Sequence, residues 1–447
     1  MARKNWKLAA VAAMLAVVAT ACGSNTPSAS GLEGEVTLWH AYGSSGGSAE
    51  GTAFAAQLAK FEKEFPKIKI TAVEVPFSDI FTKFKTEAAA GGGPDLFIAP
   101  NDDLGNLVTA GLLEPITDTT DLGTVSQQAL DGATIGGKLY LVPESLKAVV
   151  MFYDSAKIPT PPATAAEFKD YVDNGGKVAV PAGVYHVWGW YKAFGASIFD
   201  STGHAACFSG TGVGDAMDYV KSLKAAGAVV DGNDGDLGQK YMNGEVDVMF
   251  NGNWVLADYL KARPGTQVAS FPAGANGLPS VGMVGVDGWH INAAGANKPL
   301  AIKVASILAS PDYAKIMVAG AGHVPASTAI TIDDAVTKAF AAAIATGTRR
   351  PVEAWMNNYW GNFGSAWDSV LQTGAAGADA GVADAHAAGS GDQFAGLGGR
   401  LAAEGAAFGA IAGHTLRRGP TWAPRRGRRG RRPSPVRPSC RSRGRNR

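Results

Sequence analysis

Strand and helix patterns alternate between Gly34 and Pro100, and this alternation leaves few folds open to the chain. Glu35–Trp39 is a short apolar strand, and a glycine-rich segment leads from it into an amphipathic helix. The apolar face of that helix consists of Phe54, Leu58, Phe61 and Phe65, at spacings of four, three and four. Strands that alternate with helices predict an α/β fold with a parallel sheet.

The same run predicts where a ligand would bind. Lys67–Val75 is a second strand, Ile80–Phe84 marks a second amphipathic helix, and Leu96–Ala99 is a third strand. Parallel sheets bind ligands outside the carboxyl ends of their strands. Here those ends lead into His40–Gly43 and Pro100–Asp103.

Several segments resemble extracellular solute-binding proteins of the maltose/maltodextrin-binding type (family 1). They are LWHAY, KFEKEFPKIKITAVEVPFSDI, AAAGGGPDLFIAPNDDLGNLVTAGLLEPI and YMNGEVDVMFNGNWVL. These proteins are the capture subunits of ATP-driven sugar importers, and the resemblance extends to about Thr373. It implies an α/β, two-lobed periplasmic-binding-protein fold of type II, with three interlobe crossovers and mixed sheets flanked by helices.

The resemblance also implies a division of the chain into lobes. The N-terminal lobe would comprise residues 34–145 and 287–327, and the C-terminal lobe residues 146–286 and 328–376. Residues 1–21 are predicted to be a signal peptide and residues 22–33 a flexible tether. Residues 377–447, rich first in alanine and glycine and then in arginine, are predicted to be a disordered tail.

Sugars present flat C–H faces to aromatic rings and hydroxyl groups to charged or amide side chains. By position, the resemblance assigns sugar stacking to Tyr185, Trp254 and Trp360, and hydroxyl binding to Asp102. Lys147 stands where the family has a hydroxyl-binding glutamate. Local sequence adds four further candidates: His40, Tyr42, Asp287 and Trp289.

Four departures from the family pattern bear on the identity of the sugar. Ala99 stands at a stacking tryptophan position, Asp103 at an arginine position, and Lys147 and Gly183 at glutamate positions. Malto-oligosaccharides therefore remain candidates beside other α-glucosides, trehalose and oligosaccharides derived from plants or polymers.

The start of the chain indicates secretion. Met1–Cys22 combines a basic beginning with an apolar run and small residues, which is typical of a secretory signal. Cys22, followed by Gly23, resembles the lipid-acceptor cysteine of bacterial lipoproteins. Ala19–Ala21 also fits ordinary cleavage, so a lipid-anchored protein on the outer face of the membrane and a secreted protein both remain open.

Charge is distributed unevenly along the chain. Arg417–Arg447 contains 13 arginines and no acidic residue; without this tail and the signal, 24 basic residues face 39 acidic ones. An acidic body argues against nucleic acid as its ligand. We interpret the tail as the product of a frame slip near Ala375–Asp392; a genuine basic segment that binds anionic lipid or nucleic acid is the alternative.

The predicted function is capture of an oligosaccharide by a monomer that closes its lobes and docks on two membrane-spanning permease subunits and their ATPase. No GxSxG, GxxxxGK[ST] or HExxH motif occurs, so we expect no enzyme. We expect neither metal nor cofactor, and interpret Asp231–Gly238 as a loop without calcium ligands. A sugar-sensing lipoprotein without transport and a glycoside hydrolase are the alternatives.

Overall fold

The structure is a computed structural model that describes residues 32–43, 48–117, 123–196, 212–274, 277, 280, 282–354, 356–364, 367, 368 and 371. The signal peptide, Cys22 and the arginine-rich tail lie outside the described residues. No helix in these ranges is long and apolar enough to cross a membrane.

Seven of the described strands form the first sheet, in the order β13-β6-β12-β3-β1-β2 with β14 beside β12. The strands are β1 (Gly34–His40), β2 (Ile68–Glu74), β3 (Leu96–Pro100), β6 (Leu141–Lys147), β12 (Met283–Ile291), β13 (Val324–Pro325) and β14 (Thr348–Arg349). Strand β1 is parallel to β2 and β3, whereas β12 is antiparallel to β3 and β6. The sheet is therefore mixed.

Five strands form the second sheet, in the order β11-β7-β10-β8-β9. They are β7 (Val149–Asp154), β8 (Val178–Pro181), β9 (Val229–Asp231), β10 (Val248–Gly252) and β11 (Thr266–Ala269). Strands β8, β9 and β10 are parallel neighbours, and β7 is antiparallel to β10 and β11. A separate hairpin contains β4 (Thr134–Ile135) and β5 (Lys138–Leu139).

Helices cover both sheets. They are α1 (Ala49–Glu64), α2 (Phe77–Ala89), α3 (Leu104–Thr109), α4 (Gln127–Asp131), α5 (Ala165–Asp173), α6 (Trp188–Ala193), α7 (Val213–Ala225), α8 (Asp234–Met242), α9 (Leu256–Ala262), α10 (Lys298–Ala309), α11 (Pro311–Ala321), α12 (Ala335–Ala345) and α13 (Met356–Asn358). Helices α1, α10 and α11 share a core with one face of the first sheet, and α2 packs on the other. Helices α5, α6 and α7 pack on the second sheet.

Within the described residues the chain leaves the first sheet for the second once, returns to it, and later leaves the first sheet again for a helix beside the second. It leaves the first sheet after β6, turns at Ala148 and enters β7. It returns between β11 and β12, and it leaves again after β13 toward α12, which packs beside β11. Two lobes joined by three crossovers are the arrangement that the resemblance implies; the exact lobe boundaries stay a prediction.

The alternating run at the start of the chain is confirmed as β1-α1-β2-α2-β3. The interpretation of Asp231–Gly238 as a loop is wrong, because α8 begins at Asp234. The side chain of Asn233 accepts a hydrogen bond from the Asp236 amide and caps the helix. Leu237 and Tyr241, four residues apart, are its two large buried side chains.

Candidate functional site

Three aromatic side chains of the second lobe, Tyr185, Trp254 and Trp360, lie together and form what we call the aromatic cluster. The rings of Tyr185 and Trp254 are stacked, with centroids 6.0 Å apart and an interplanar angle of 27°. Trp360 lies edge-on to Tyr185, with centroids 6.2 Å apart. All three are only partly buried, so these rings are within reach of a ligand.

The sheet explains why these rings meet. Strands β8 and β10 are parallel neighbours, so their carboxyl ends lie at one edge of the sheet. Tyr185 follows β8, and Trp254 lies in the 3₁₀ turn after β10. A side chain at Gly252 would place its Cβ 1.8 Å from the Trp254 ring, so the glycine leaves the space that the indole fills. The Asn253 side chain donates to the Leu146 carbonyl at 3.0 Å and fixes the turn.

Asp102 and Arg350 form an ion pair against the aromatic cluster. Asp102 lies in the turn at the carboxyl end of β3, and Arg350 follows β14. The guanidinium carbon is 4.8 Å from the Tyr185 ring centroid and 5.4 Å from that of Trp360, both cation–π distances. Trp360 Nε1 donates to the Asp102 carbonyl at 3.4 Å. Burial raises the pKa of the Asp102 carboxyl, and Arg350 offsets part of that rise.

Five ionisable side chains, each with no more than 14% of its side chain exposed, form what we call the charge cluster. They are Glu50, Glu144, Lys147, Asp287 and His323. Lys147 Nζ lies 2.6 Å from Glu50 Oε1 and 3.4 Å from Asp287 Oδ2. His323 Nε2 lies 2.7 Å from Glu50 Oε1, and its Nδ1 lies 3.2 Å from Glu144 Oε2.

The charge cluster fixes its own protonation states. Burial and Lys147 lower the pKa of His323, but Glu144 and Glu50 outweigh them and raise it to about 9. Burial raises the pKa of Glu50, but Lys147 and His323 outweigh it and lower the value to about 2. Burial likewise opposes the charge of Lys147, yet Glu50 and Asp287 raise its pKa. At neutral pH two cations, Lys147 and His323, therefore lie among the three carboxyl groups of this buried cluster.

One side chain connects the aromatic cluster to the crossovers. The Tyr185 hydroxyl donates to the carbonyls of Lys147 at 3.3 Å and Met283 at 3.2 Å. These residues lie at the end of β6 and the beginning of β12, where the chain passes between the lobes. The aromatic cluster is therefore tied to the crossovers between the lobes.

Comparison with protein families decides the class of the protein. The family described as "Bacterial extracellular solute-binding protein" matches residues 56–344. The chain belongs to this family. A solved structure of Thermus thermophilus maltotriose binding protein bound with maltotriose is similar, with a TM-score of 0.68 and 26% identity. That similarity covers 78% of this chain and 96% of the other, and it confirms the type II periplasmic-binding-protein fold.

Curated relatives of this solute-binding protein are named for sugars. The galactooligosaccharide-binding protein of Bacillus subtilis (strain 168) is 25% identical over 386 residues, which cover 80% of this chain and 89% of the relative. A maltooligosaccharide ABC transporter solute-binding lipoprotein of Streptococcus pneumoniae serotype 4 (strain ATCC BAA-334 / TIGR4) is 22% identical over 355 residues. These cover 73% of this chain and 82% of the relative.

The predicted site residues of this solute-binding protein fall into three places. Tyr185, Trp254 and Trp360 lie together, with Asp102 beside them. Lys147 and Asp287 belong to the charge cluster, and the buried ring of Tyr42 lies 5.8 Å from that of His323. Burial, and then Glu144, Asp287 and Glu50, raise the pKa of Tyr42.

His40 and Trp289 are placed in the core of the first lobe. Each packs against Phe54 of α1, with ring centroids 4.8 Å and 6.0 Å away respectively. Burial lowers the pKa of His40, and Trp289 is 1% exposed. These two side chains are therefore separated from the aromatic cluster.

Sequence patterns missed Arg350, His323 and Glu50, which complete the two clusters. His323 lies in Gly322–Ala326, which resembles the third crossover of the family, so its position could be inferred from the resemblance. Arg350 and Glu50 belong to no recognisable motif, because their partners are distant in the chain. Asp102 is 248 residues from Arg350, and Lys147 is 97 residues from Glu50.

Proposed function

We propose that this chain is the sugar-capture subunit of an ATP-driven importer and binds an oligosaccharide between its two lobes. The observation that carries the proposal is the aromatic cluster. Three rings from separate segments of the second lobe converge beside a carboxylate and a guanidinium. Flat apolar faces next to fixed hydrogen-bonding groups are what pyranose rings require of a protein.

The relatives support a neutral oligosaccharide as the ligand. Those named above carry the names of galacto- and malto-oligosaccharides, and the similar solved structure contains maltotriose. The departures at Ala99, Asp103, Lys147 and Gly183 argue against maltose itself as the preferred ligand. We therefore propose malto-oligosaccharides or related oligosaccharides, without a fixed linkage.

Binding would proceed by closure of the two lobes. A ligand that contacts Asp102 from the first lobe and Trp254 from the second favours the conformation in which both are close. The closed form would dock on two permease subunits driven by an ATPase. We propose that the protein acts as a monomer and catalyses no reaction, since the family and its solved relatives are solute-binding proteins.

The family is extracellular, and the location of this chain follows from it. We further propose that Cys22 carries the lipid that anchors the chain to the outer face of the membrane. A lipoprotein among the relatives supports this, together with the small residues before Cys22.

Titration of the whole chain with a sugar panel tests the proposal. The panel contains maltose to maltoheptaose, trehalose and galactotriose, with mannitol as a control that lacks a pyranose ring. We expect at least one oligosaccharide to bind with a micromolar dissociation constant, about −8 kcal/mol, and no release of reducing ends on long incubation. If no sugar at millimolar concentration gives a heat of binding or shifts the melting temperature, sugar capture is contradicted. Released reducing ends would favour a hydrolase.

A further inference from the structure

Arg350 is held beside the aromatic cluster by strand pairing and by the space above a glycine. Its backbone amide donates to the Val284 carbonyl at 2.9 Å, which continues the pairing of β14 with β12. The guanidinium then passes over Gly285, where a Cβ would lie 2.6 Å from Nη1. A side chain at position 285 would displace the guanidinium from this place.

The hydrogen bonds of this guanidinium are incomplete. Arg350 is 2% exposed, and its Nη1 donates to Asn101 Oδ1 at 3.1 Å and to the Asp102 carboxylate. Its buried Nε has no partner among the described residues. A buried donor without an acceptor is unfavourable, and a ligand oxygen would relieve that cost.

Asp102 supplies the complementary group. Its side chain is 23% exposed, in contrast to 3% for the side chain of Arg350. A carboxylate accepts up to four hydrogen bonds, and one of its oxygens bonds to the arginine. A partly exposed acceptor therefore lies beside a donor that needs a partner, and the guanidinium lies over the Trp360 ring.

We propose that Arg350 is a specificity-determining residue that, together with Asp102, binds two adjacent hydroxyl groups of one sugar unit. One hydroxyl would donate to Asp102 while its neighbour accepts from Arg350, and Trp360 would hold the sugar's C–H face. The inference rests on the proposed function and identifies the pair of adjacent hydroxyl groups that the site recognises. A sugar that lacks either hydroxyl leaves a buried polar group unpaired, so it binds weakly.

A structural role for Arg350 would look different. If the arginine only positioned Asp102 and the two rings, its loss would lower the affinity for every sugar by the same factor. If it binds a hydroxyl, its loss removes the discrimination at that hydroxyl alone. Comparing ligand analogues in each variant separates the two roles.

Calorimetry on the full chain provides the test. The wild type is first titrated with maltotriose and galactotriose, and the tighter sugar is then compared with analogues that each lack one hydroxyl. We expect the wild type to bind two of these analogues, which lack adjacent hydroxyl groups, at least tenfold more weakly than the parent sugar. Arg350→Met should bind the parent sugar at least tenfold more weakly and show no further loss with one of those two analogues. Arg349→Met, an exposed neighbour, is the matched control and should behave as the wild type.

The outcomes separate the two proposals. Wild-type affinity in Arg350→Met, or an equal loss for all analogues, overturns the role of Arg350 while sugar capture stands. Failure of the wild type to bind either sugar contradicts sugar capture and this inference with it. If Arg350→Met does not fold, Arg350→Lys keeps the charge without the planar fork. Arg350→Lys is then compared with Asp102→Asn, which should lose discrimination at the neighbouring hydroxyl. The two variants together separate the two roles of Arg350 in the same way.

Discussion

His323 bonds to two carboxylates through its two ring nitrogens, and its protonation therefore links stability to pH. It faces Glu50 of α1, Glu144 and Lys147 of β6, Asp287 of β12 and the ring of Tyr42. With both nitrogens donating, the 3.1 Å approach of Lys147 Nζ to Nε2 is a contact between like charges. The surrounding carboxylates compensate for it.

We expect the free energy of unfolding to decrease between pH 6.5 and about pH 9. The pKa of His323 is raised from 6.5 to about 9 in the folded chain. Its stabilising contribution is therefore complete below pH 6.5 and is lost as the pH rises through 9. Urea unfolding should show His323→Gln less stable than the wild type by at most roughly 3 kcal/mol at pH 6, and by much less at pH 9.5.

The control for this prediction is His40→Gln. Burial lowers the pKa of His40 below its ordinary value of 6.5, so the side chain is neutral above pH 7.5. The effect of His40→Gln on the free energy of unfolding should not change between pH 7.5 and pH 9.5. A difference between His323→Gln and the wild type that is the same at every pH would contradict the account of the charge cluster.

At the residue scale, the sequence predicted site residues that lie in recognisable segments. It missed residues whose role depends on partners that are distant in the chain. The family resemblance assigned Tyr185 and Trp254 to one stacking site by position, and their rings lie together. Trp289 could not be placed, because β12 is buried on both faces and a buried strand shows no alternation. Arg350 meets Asp102 only through the final fold.

At the scale of elements, the beginning of α1 makes a polar contact with the other lobe. The Ala49 amide donates to both carboxylate oxygens of Asp258 in α9, at 3.1 and 3.2 Å. Ala49 is the first residue of a 16-residue helix, whose first amides lack partners within the helix. A carboxylate is favourable there because of the helix dipole. The contact joins the two lobes directly.

We expect Asp258→Ala to weaken sugar binding without changing which sugar is preferred. Opening the lobes would break this contact, so its loss disfavours the closed form. A carboxylate at a helix N-terminus contributes about 0.3–1 kcal/mol, so the affinity should fall about two- to fivefold. Calorimetry across the sugar panel would measure this. Asp170→Ala, an exposed carboxylate of α5, is the matched control; equal affinities for both variants would contradict the role of Asp258.

Elements with strong local patterns were predictable, whereas those that depend on capping were not. Helices α1 and α2 show apolar residues at helical spacing, and both are observed. Helix α8 begins in a segment rich in glycine and aspartate, which indicates a loop when read without its cap. The Asn233 cap and the buried contacts of Leu237 and Tyr241 stabilise a helix there.

At the scale of the whole molecule, the two lobes share an apolar core near the crossovers. One cluster continues from Phe97 and Leu104 of the first lobe through Val150 to Met249 of the second. Phe340 of α12 adds to it, with its ring 5.7 Å from that of Phe152 in β7. Opening of the cleft is therefore expected to bend the crossovers rather than to separate the lobes.

The path of the chain after β13 was not predictable in detail. The resemblance implied a direct passage to the second lobe, yet β14 pairs with β12 and the following residues pack on α3. A Cβ at Gly105 would lie 2.3 Å from the Ala354 amide, so this approach depends on a glycine 249 residues away. No local pattern carries such information.

Calorimetric titration of Trp254→Ala tests most directly whether the aromatic cluster binds sugar. With the sugar that the wild type binds best, we expect a ten- to hundredfold loss of affinity. Stacking contributes ~0.5–1.5 kcal/mol beyond the buried area, and the lost area adds to it. The core control Trp188→Ala should instead lose about 3–5 kcal/mol of stability and keep its affinity where folded. If Trp254→Ala melts far earlier than the wild type yet binds the sugar with unchanged affinity, Trp254 is a packing residue and the proposed site is contradicted.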